Sequence, residues 1–158
     1  MTSSGDFSRP ITVEDLIYIH DEIVLGYGGG RPGMRYRESL EYAVELPFLT
    51  LFGQERYPGN FLKAAVIMER IIRGHPFTDG NKRTGYLAGI TMLELLVGLT
   101  VETEEGEAVE VCLAVEDERM GAEELASWMF DHSDPIVNAF GDYDEGDTTL
   151  GLYKRRQS

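Results

Sequence analysis

His75-Pro76-Phe77-Thr78-Asp79-Gly80-Asn81-Lys82-Arg83 is the stretch that decides the fold of this sequence, because an apolar helical pattern stands on each side of it. The upstream pattern repeats about every 3.6 residues after a predicted cap at Asn60, and Gly74 and Pro76 are typical of a helix end. Its apolar positions are Phe61, Leu62, Ala65, Ile67, Met68, Ile71 and Ile72. The downstream pattern predicts a second helix that begins near Asn81. The stretch is therefore predicted to be the loop of a helix-loop-helix.

The second helix opens on two bases, Lys82 and Arg83. The amino end of a helix already carries partial positive charge and prefers acidic residues, so two cations are unfavourable there unless an anion binds. Backbone N–H groups of the first turn have no partner within the helix, and Gly80 lets a ligand approach the backbone closely. We therefore interpret Gly80, Asn81, Lys82 and Arg83 as a phosphate-binding group.

Two side chains just before this group could act on a bound phosphate. Histidine as a residue type titrates near neutrality and can accept the proton of a hydroxyl group, so His75 is the candidate general base. Asp79 is predicted to hold Mg²⁺, which commonly joins one or two carboxylates to substrate phosphates. Phe77, between them, is expected to anchor the loop by burial. The competing interpretation is structural, with a capping histidine, an ordinary helix-start acid and two surface charges.

The same nine residues resemble the signature of the Fic/Doc family, H-x-F-x-[DN]-[AG]-N-[GK]-R. They are most similar to its death-on-curing (Doc) branch. Lys82 stands where adenylyl-transferring Fic proteins have glycine, and Tyr86 stands where those proteins have a second arginine. Residues 27–35 and 40–43 are similar to the loop and helix that precede the motif in Doc-type chains. The resemblance spans about residues 12–130.

This resemblance implies a Doc-like toxin of a toxin-antitoxin pair that uses ATP and Mg²⁺. The γ-phosphate of ATP would pass to a Ser or Thr hydroxyl of a protein, with translation elongation factor Tu as the candidate target and arrest of translation as the outcome. Lys82 would crowd the seat that the β- and γ-phosphates occupy in an adenylyl transferase. Two alternatives stay open: a Fic-type adenylyl transferase (AMPylation) and a catalytically silent nucleotide- or phosphate-binding module.

The resemblance also concerns partners. Some Fic proteins restrain themselves with a helix bearing [ST]-x-x-x-E-[GN], and neither Glu105-Gly106 nor Glu145-Gly146 has Ser or Thr four residues before the acid. Restraint by a separate antitoxin is therefore expected. Residues 26–33 are rich in glycine. In Doc-like proteins the segment after this loop helps to receive the target chain, which makes Arg35 and Arg37 candidates for contact with the protein substrate.

The whole chain is predicted to be all-α, a compact Fic/Doc-like bundle of about six helices with at most a short β element at residues 99–103. The other helices are predicted over residues 12–25, 37–46, 108–118 and 122–131, the first with Thr12 and Asp15 as a capping pair. Residues 1–10 are predicted to be a mobile N-terminus, residues 11–134 the Fic/Doc domain, and residues 135–158 a C-terminal tail. With 158 residues and 42% hydrophobic content, one compact domain is expected.

Charge and cysteine content restrict the function classes. The net charge of -14, from 28 acidic and 14 basic residues, argues against a nucleic-acid partner. Residues 102–145 are predicted to be a solvated acidic face, whereas residues 63–83 carry a net charge of +3 that favours anion docking. One cysteine, Cys112, cannot form an internal disulfide. Neither a leader nor a long apolar run is found, so a cytoplasmic protein without membrane attachment is expected.

Four further features receive structural interpretations. His20 lies on an apolar helix side and is expected to be a packed or hydrogen-bonded core residue. The glycine-rich run at residues 26–33 is expected to be a flexible connector, since it follows a helix and lacks the Walker spacing. Residues 48–58 are expected to form a packed apolar loop. The polar cluster near residue 132 is interpreted as a helix end rather than a metal site. Its members are Asp131, His132 and Asp134.

Overall fold

The computed structural model of the protein describes residues 9–26 and 29–136. Within them the chain forms six α-helices and two small antiparallel sheets, which confirms the predicted mostly-α fold. The helices are α1 (Val13–Gly26), α2 (Arg37–Glu45), α3 (Asn60–Gly74), α4 (Asn81–Val97), α5 (Glu107–Glu116) and α6 (Ala122–Asp131). Strands β1 (Thr50–Leu51) and β2 (Gln54–Glu55) form a hairpin, and β3 (Leu99–Val101) pairs with β4 (Ser133–Pro135).

Helix α3 is the centre of the bundle and packs against α2, α4, α5 and α6. Six consecutive residues of α3, from position 63 to position 68, are buried, so the helix has no solvent-facing side over these residues. Two glycines let α4 approach it closely. A Cβ atom on Gly85 would lie 2.7 Å from Ile72 Cγ1, and one on Gly89 would lie 3.1 Å from Met68 Cβ. The end of α3 and the start of α4 are therefore held firmly together, with the motif loop between them.

Helix ends follow the sequence prediction with one exception. Thr12 and Asp15 form the predicted capping pair, since each backbone N–H donates to the other residue's side chain, at 2.9 and 3.1 Å. The predicted cap at Asn60 is wrong. Gly59 is the residue before α3, with φ 95°, and Asn60 is already helical. Only glycine adopts such a backbone conformation readily, so Gly59 sets the start of the helix.

The prediction of a packed apolar loop at residues 48–58 is wrong at its centre. The hairpin turn consists of Phe52 and Gly53, which have φ angles of 52° and 79°. Two positive φ angles in succession are typical of a two-residue hairpin turn. The turn directs the side chain of Phe52 fully into solvent.

Strand β3 lies within the predicted short β element, and its partner β4 includes Pro135, the first residue of the predicted tail. The other predicted domain boundaries stay predictions, because residues 1–8 and 137–158 lie outside the described part of the chain. Across residues 9–26 and 29–136, no helix combines the length and the apolar content that crossing a bilayer requires.

Candidate active site

The motif loop begins at a strained backbone position. His75 follows the last residue of α3 with φ 46° and ψ 54°, in the left-handed region that residues other than glycine rarely adopt. Its backbone N–H donates to the Ile71 carbonyl at 3.3 Å, and its side chain is 45% exposed. Gly80 closes the loop at the other end with φ 80°. Backbone strain of this kind concentrates at functional sites, and here it presents an accessible imidazole.

Phe77 anchors the loop by burial, as predicted, and is 1% exposed. Its ring stacks on His20 of α1 with centroids 3.7 Å apart and planes 4° apart. The Nε2–H of His20 donates to the Asp79 carbonyl at 2.7 Å. The interpretation of His20 as a packed, hydrogen-bonded core residue is confirmed. Its place in the core is directly beneath the motif, so α1 supports the loop.

Asn81 supports the loop from the opposite end. Its side-chain Oδ1 accepts from the Phe77 N–H, and its Nδ2 donates to the Phe77 carbonyl, both at 2.9 Å. Asn81 is only 8% exposed. The structure therefore gives the Asn81 side chain a positioning role, and its backbone N–H, in the first turn of α4, is the group that can face a phosphate.

The described part of the glycine-rich run lies against the motif, which corrects its interpretation as a flexible connector. Arg83 Nη2 donates to the Gly29 carbonyl at 3.0 Å, and the Arg31 N–H donates to Asp79 Oδ2 at 3.2 Å. A Cβ atom on Gly30 would lie 3.1 Å from Asp79 Oδ2 and 3.3 Å from Arg83 Nη2. Glycine at position 30 is thus what permits the loop to approach both charged groups. Residues 27 and 28 lie outside the described chain.

The next segment pairs with the motif loop as a short β bridge between Met34 and Phe77. The Arg35 N–H donates to the Pro76 carbonyl at 2.7 Å. Arg35 is exposed beside the loop, where it can meet a protein substrate. Arg37, the other predicted contact, is ion-paired at 2.9 Å with Glu14 of α1. The pairing with α1 makes Arg37 a weaker candidate than Arg35.

Asp79 is an exposed carboxylate held by two backbone bonds. Besides the bond from Arg31, the Asp79 Oδ1 accepts a hydrogen bond from the Gly80 N–H at 2.9 Å. The Gly80 N–H, which the sequence predicts to bind phosphate, is therefore already bonded to Asp79. The bonds from Arg31 and Gly80, followed by the Arg83 charge, lower the pKa of Asp79 below its ordinary value. A carboxylate has about four lone-pair sites, so two accepted bonds leave room for a cation. Asp79 therefore fits Mg²⁺ as a single carboxylate ligand, with phosphates supplying further oxygens.

Lys82 and His75 converge on Glu116, the last residue of α5. Lys82 Nζ lies 3.3 and 3.4 Å from the two Glu116 carboxylate oxygens, and His75 Nε2 lies 3.8 Å from Oε2. From the sequence, Glu116 is predicted only to belong to the acidic face of residues 102–145. The sequence feature that could have identified Glu116 is its place at the carboxyl end of a predicted helix. An acid is as unfavourable there as a base is at the amino end. In the fold, the base at the start of α4 pairs with the acid at the end of α5, so each neutralises the other's unfavourable charge.

The net charge of +3 over residues 63–83 overstates the charge available to an anion, because two of the five bases in this stretch serve the fold. Lys63 is buried at the start of α3 and pairs with Glu55 at 2.7 Å. Arg73 donates two 2.9 Å hydrogen bonds to carbonyl groups at the end of α5 and beyond it. Among the five bases of residues 63–83, Lys82 and Arg83 lie at the start of α4, where an anion is predicted to bind.

Residues 10–93 match the sequence profile described as the Fic/DOC family, which covers more than half of the 158-residue chain. The chain belongs to the Fic/DOC family. The matched region runs from before α1 into α4 and contains the whole motif, so the predicted family is confirmed.

A second comparison concerns the branch within the Fic/DOC family. The chain is 37% identical over 82 residues to a protein named Toxin Doc from Mycolicibacterium smegmatis (strain ATCC 700084 / mc(2)155). The match covers 49% of this chain and 63% of that relative, so the chain spans less than two thirds of the relative's length. The similarity agrees with the predicted Doc branch.

A cavity of about 160 Å³ opens between α4 and α5 beside the Fic/DOC motif. It is lined by Lys82, Arg83, Tyr86, Ala108, Val109 and Cys112. Burial raises the pKa of Cys112 to about 11, so this thiol is protonated and unreactive near neutrality. Tyr86 stands where adenylyl-transferring Fic proteins have the second arginine, and it is half-buried. Its ring meets the Trp128 ring edge to face, with the ring centroids 6.5 Å apart. The two bases at the start of α4 thus adjoin an apolar wall.

His132, from the polar cluster of Asp131, His132 and Asp134 at the end of α6, is held by bonds within the fold. His132 Nε2 bonds Glu107 Oε2 at 3.0 Å, and His132 Nδ1–H donates to the Trp128 carbonyl at 2.8 Å. The Trp128 carbonyl and then Glu107 raise the pKa of His132 above its ordinary value. These bonds join the end of α6 to the start of α5. Within residues 9–26 and 29–136, no group of three or more His, Cys, Asp or Glu is arranged to hold a metal.

Proposed function

We propose that this chain is a Doc-like toxin that transfers the γ-phosphate of ATP to a Ser or Thr hydroxyl of a protein target. The observation that supports it best is the arrangement of the motif loop, which places the half-exposed imidazole of His75 at the end of α3 and the exposed carboxylate of Asp79 just before the first turn of α4. A base and a possible Mg²⁺ ligand thus lie on one short loop beside the N–H groups of a helix start, which is where a phosphate is expected to bind.

In the proposed reaction, His75 accepts the proton of the attacking hydroxyl. The hydroxyl oxygen forms a bond to the γ-phosphorus while the bond from that phosphorus to the bridging oxygen breaks, and ADP leaves. General-base help of this kind contributes about 100- to 10,000-fold in rate. The half-exposed side chain of His75 is open to an incoming hydroxyl, and the strained backbone at this residue fixes the direction from which the imidazole is presented.

The phosphates of ATP would be held from the start of α4. The backbone N–H groups of its first turn, together with Lys82 and Arg83, would donate to phosphate oxygens. Asp79 would hold Mg²⁺, whose charge would neutralise part of the polyphosphate charge when bound. The lowered pKa of Asp79 keeps its carboxylate ionised at neutral pH, as cation binding requires. Phosphoryl transfer depends mainly on such positioning and charge neutralisation.

Adenylyl transfer is the second candidate, and one observation favours it. Lys82 is expected to crowd the seat of the β- and γ-phosphates, yet its ammonium group lies against Glu116 at 3.3 Å. A lysine drawn to α5 obstructs that seat less. Tyr86 still favours phosphoryl transfer, because it removes the second arginine that would hold the terminal phosphates.

A paired labelling experiment separates these functions. Purified protein is incubated with a cell extract, Mg²⁺ and ATP labelled at either the γ- or the α-phosphate. Transfer of the γ-label to a protein, lost in His75→Ala and kept in His132→Gln, is the expected result; the second variant controls for removing a histidine away from the motif. Transfer of the α-label would replace the proposal by adenylyl transfer. Transfer of neither label would indicate a silent nucleotide-binding module.

We further propose elongation factor Tu as the target and an antitoxin supplied in trans as the partner. Both rest on the resemblance of the motif to the Doc branch and on the similarity to a relative named Toxin Doc. Expression of the chain alone should arrest growth, and mass spectrometry should find a phosphorylated Ser or Thr in elongation factor Tu. Unchanged growth at confirmed expression of folded protein would contradict the toxin proposal.

A further inference from the structure

We propose that Glu116 is a positioning residue of the phosphate site, which holds the Lys82 ammonium group beside His75 and away from the start of α4. This inference rests on the proposed function, because it concerns how that site meets a polyphosphate. Glu116 is the carboxylate that both basic groups approach, and its side chain is 26% exposed. The residue belongs to α5, a helix outside the motif itself.

The position of Glu116 is built into the packing of the fold. Arg73 lies two residues before His75, and its Nε donates to the carbonyl of Val115, the residue before Glu116, at 2.9 Å. Its Nη2 donates to the Met120 carbonyl at 2.9 Å, and its Nη1 pairs with Glu69 at 3.4 Å. A guanidinium group with three partners fixes the end of α5 against the end of α3. The backbone that carries Glu116 is therefore held beside the end of α3, next to His75.

The charge of Glu116 has a predictable effect on anion binding. A carboxylate 3.3 Å from Lys82 occupies the ammonium group and repels an incoming phosphate. Removal of that charge, with the side-chain shape kept, should release Lys82 toward the start of α4 and tighten polyphosphate binding. Partly exposed ion pairs have modest energies, which corresponds to a change of roughly 1.5- to 5-fold in Kd. The same change should lower kcat, since His75 loses the carboxylate that faces it.

Calorimetric titration with ATP and with inorganic tripolyphosphate tests the proposal. The variants are Glu116→Gln, Lys82→Met, the double variant, and Glu110→Gln as a matched control. Glu110 lies on the same helix and is exposed, and its substitution removes the same charge, but the helical period places it on the side of α5 opposite Cys112, which lines the cavity. Tighter binding in Glu116→Gln, absent from Glu110→Gln and reduced in the Lys82→Met background, is the expected result.

Two outcomes would overturn the inference alone. Equal affinity in Glu116→Gln and Glu110→Gln would show that Glu116 does not influence the site. Tightening that is undiminished in the Lys82→Met background would show that Glu116 does not act through Lys82. If the wild type bound neither ATP nor tripolyphosphate, the proposed function would fail, and the inference with it. The wild-type titration is thus what separates a failure of the inference alone from a failure of both.

Discussion

His20 and Phe77 stack face to face with ring centroids 3.7 Å apart, which joins the first helix of the bundle to the loop that carries the proposed catalytic histidine. The same imidazole donates to the Asp79 carbonyl, 59 residues along the chain, at 2.7 Å. His20 is 1% exposed, so this donor has no access to water. The contact makes the geometry of the motif depend on α1, although α1 contributes nothing to the motif sequence.

The first prediction is that His20→Leu destabilises the fold and loosens the motif. The substitution keeps an apolar volume but leaves the Asp79 carbonyl without its donor, which is expected to lower the free energy of unfolding by about 1–3 kcal/mol. Urea denaturation measures the loss. Tyr18→Ala, on the same helix at a position that is 66% exposed, should stay within about 0.5 kcal/mol of the wild type. Equal stability of the two variants would contradict the role of His20.

The second prediction concerns Asn81. Asn81→Ala removes both hydrogen bonds to the Phe77 backbone and leaves a buried donor and acceptor unpaired, so the free energy of unfolding should fall by about 1–3 kcal/mol. ATP titration of the same variant checks the functional consequence. Unchanged stability of Asn81→Ala together with a full loss of ATP binding would instead indicate that the amide contacts the nucleotide.

The third prediction concerns the close approach of the glycine-rich loop to Asp79 and Arg83. Gly29 and Gly30 both have positive φ, at 72° and 134°, but a Cβ atom on Gly29 would have open space whereas one on Gly30 would meet Asp79 and Arg83. Gly30→Ala should therefore disturb the Arg31 to Asp79 bond and raise the pKa of Asp79 toward its ordinary value. Carboxyl titration by NMR measures the shift. Gly29→Ala is the control, and an equal shift there would contradict the argument.

The fourth prediction concerns pH and the pair of His132 with Glu107. The pKa of Glu107 is lowered in the folded protein. The stability that this residue contributes is therefore present above its ordinary pKa of 4.5 and is lost as pH falls through the lowered pKa. The contribution from His132, whose pKa is raised, is complete below 6.5 and is lost as pH rises through the raised pKa. His132→Gln should therefore lower Tm more at pH 6 than at pH 9.

Thermal unfolding at the two pH values checks this prediction. Arg119→Gln, which breaks an exposed 3.1 Å ion pair with Asp117, serves as the control because that pair contains no histidine. Its effect on Tm should be small and equal at both values. An effect of His132→Gln that is equal at pH 6 and pH 9 would show that the pair is not coupled to protonation.

The sequence predicts the local parts of this site and misses its long-range parts, for a physical reason. Periodicity and helix-end rules identify α3, α4 and the loop between them, and burial of Phe77 follows from its place in that loop. Periodicity shows which side of a helix is apolar but not which helix packs against it. Glu116 is 34 residues from Lys82, and its approach depends on how α5 packs against α3 and α4. The same limit explains why the support from His20 is not visible in the motif.

The glycine-rich loop illustrates a second limit. Its composition indicates a backbone free of regular structure, and that much is correct for the described residues. Composition does not show that Gly30 is needed because Asp79 and Arg83 lie within 3.1 and 3.3 Å of the position its Cβ would occupy. A flexible connector and a closely packed loop use the same residues, so only the fold distinguishes them.

The central claim is that His75 and the first turn of α4 meet the same nucleotide phosphates. The most direct measurement is an NMR titration of isotope-labelled protein with ATP and Mg²⁺, followed at the backbone amides of Asn81 and Lys82 and at the imidazole of His75. The account predicts saturable shifts of all three signals at one common Kd, while the imidazole of His132 stays unchanged. Binding of ATP that leaves His75 and the two amides unshifted would contradict it.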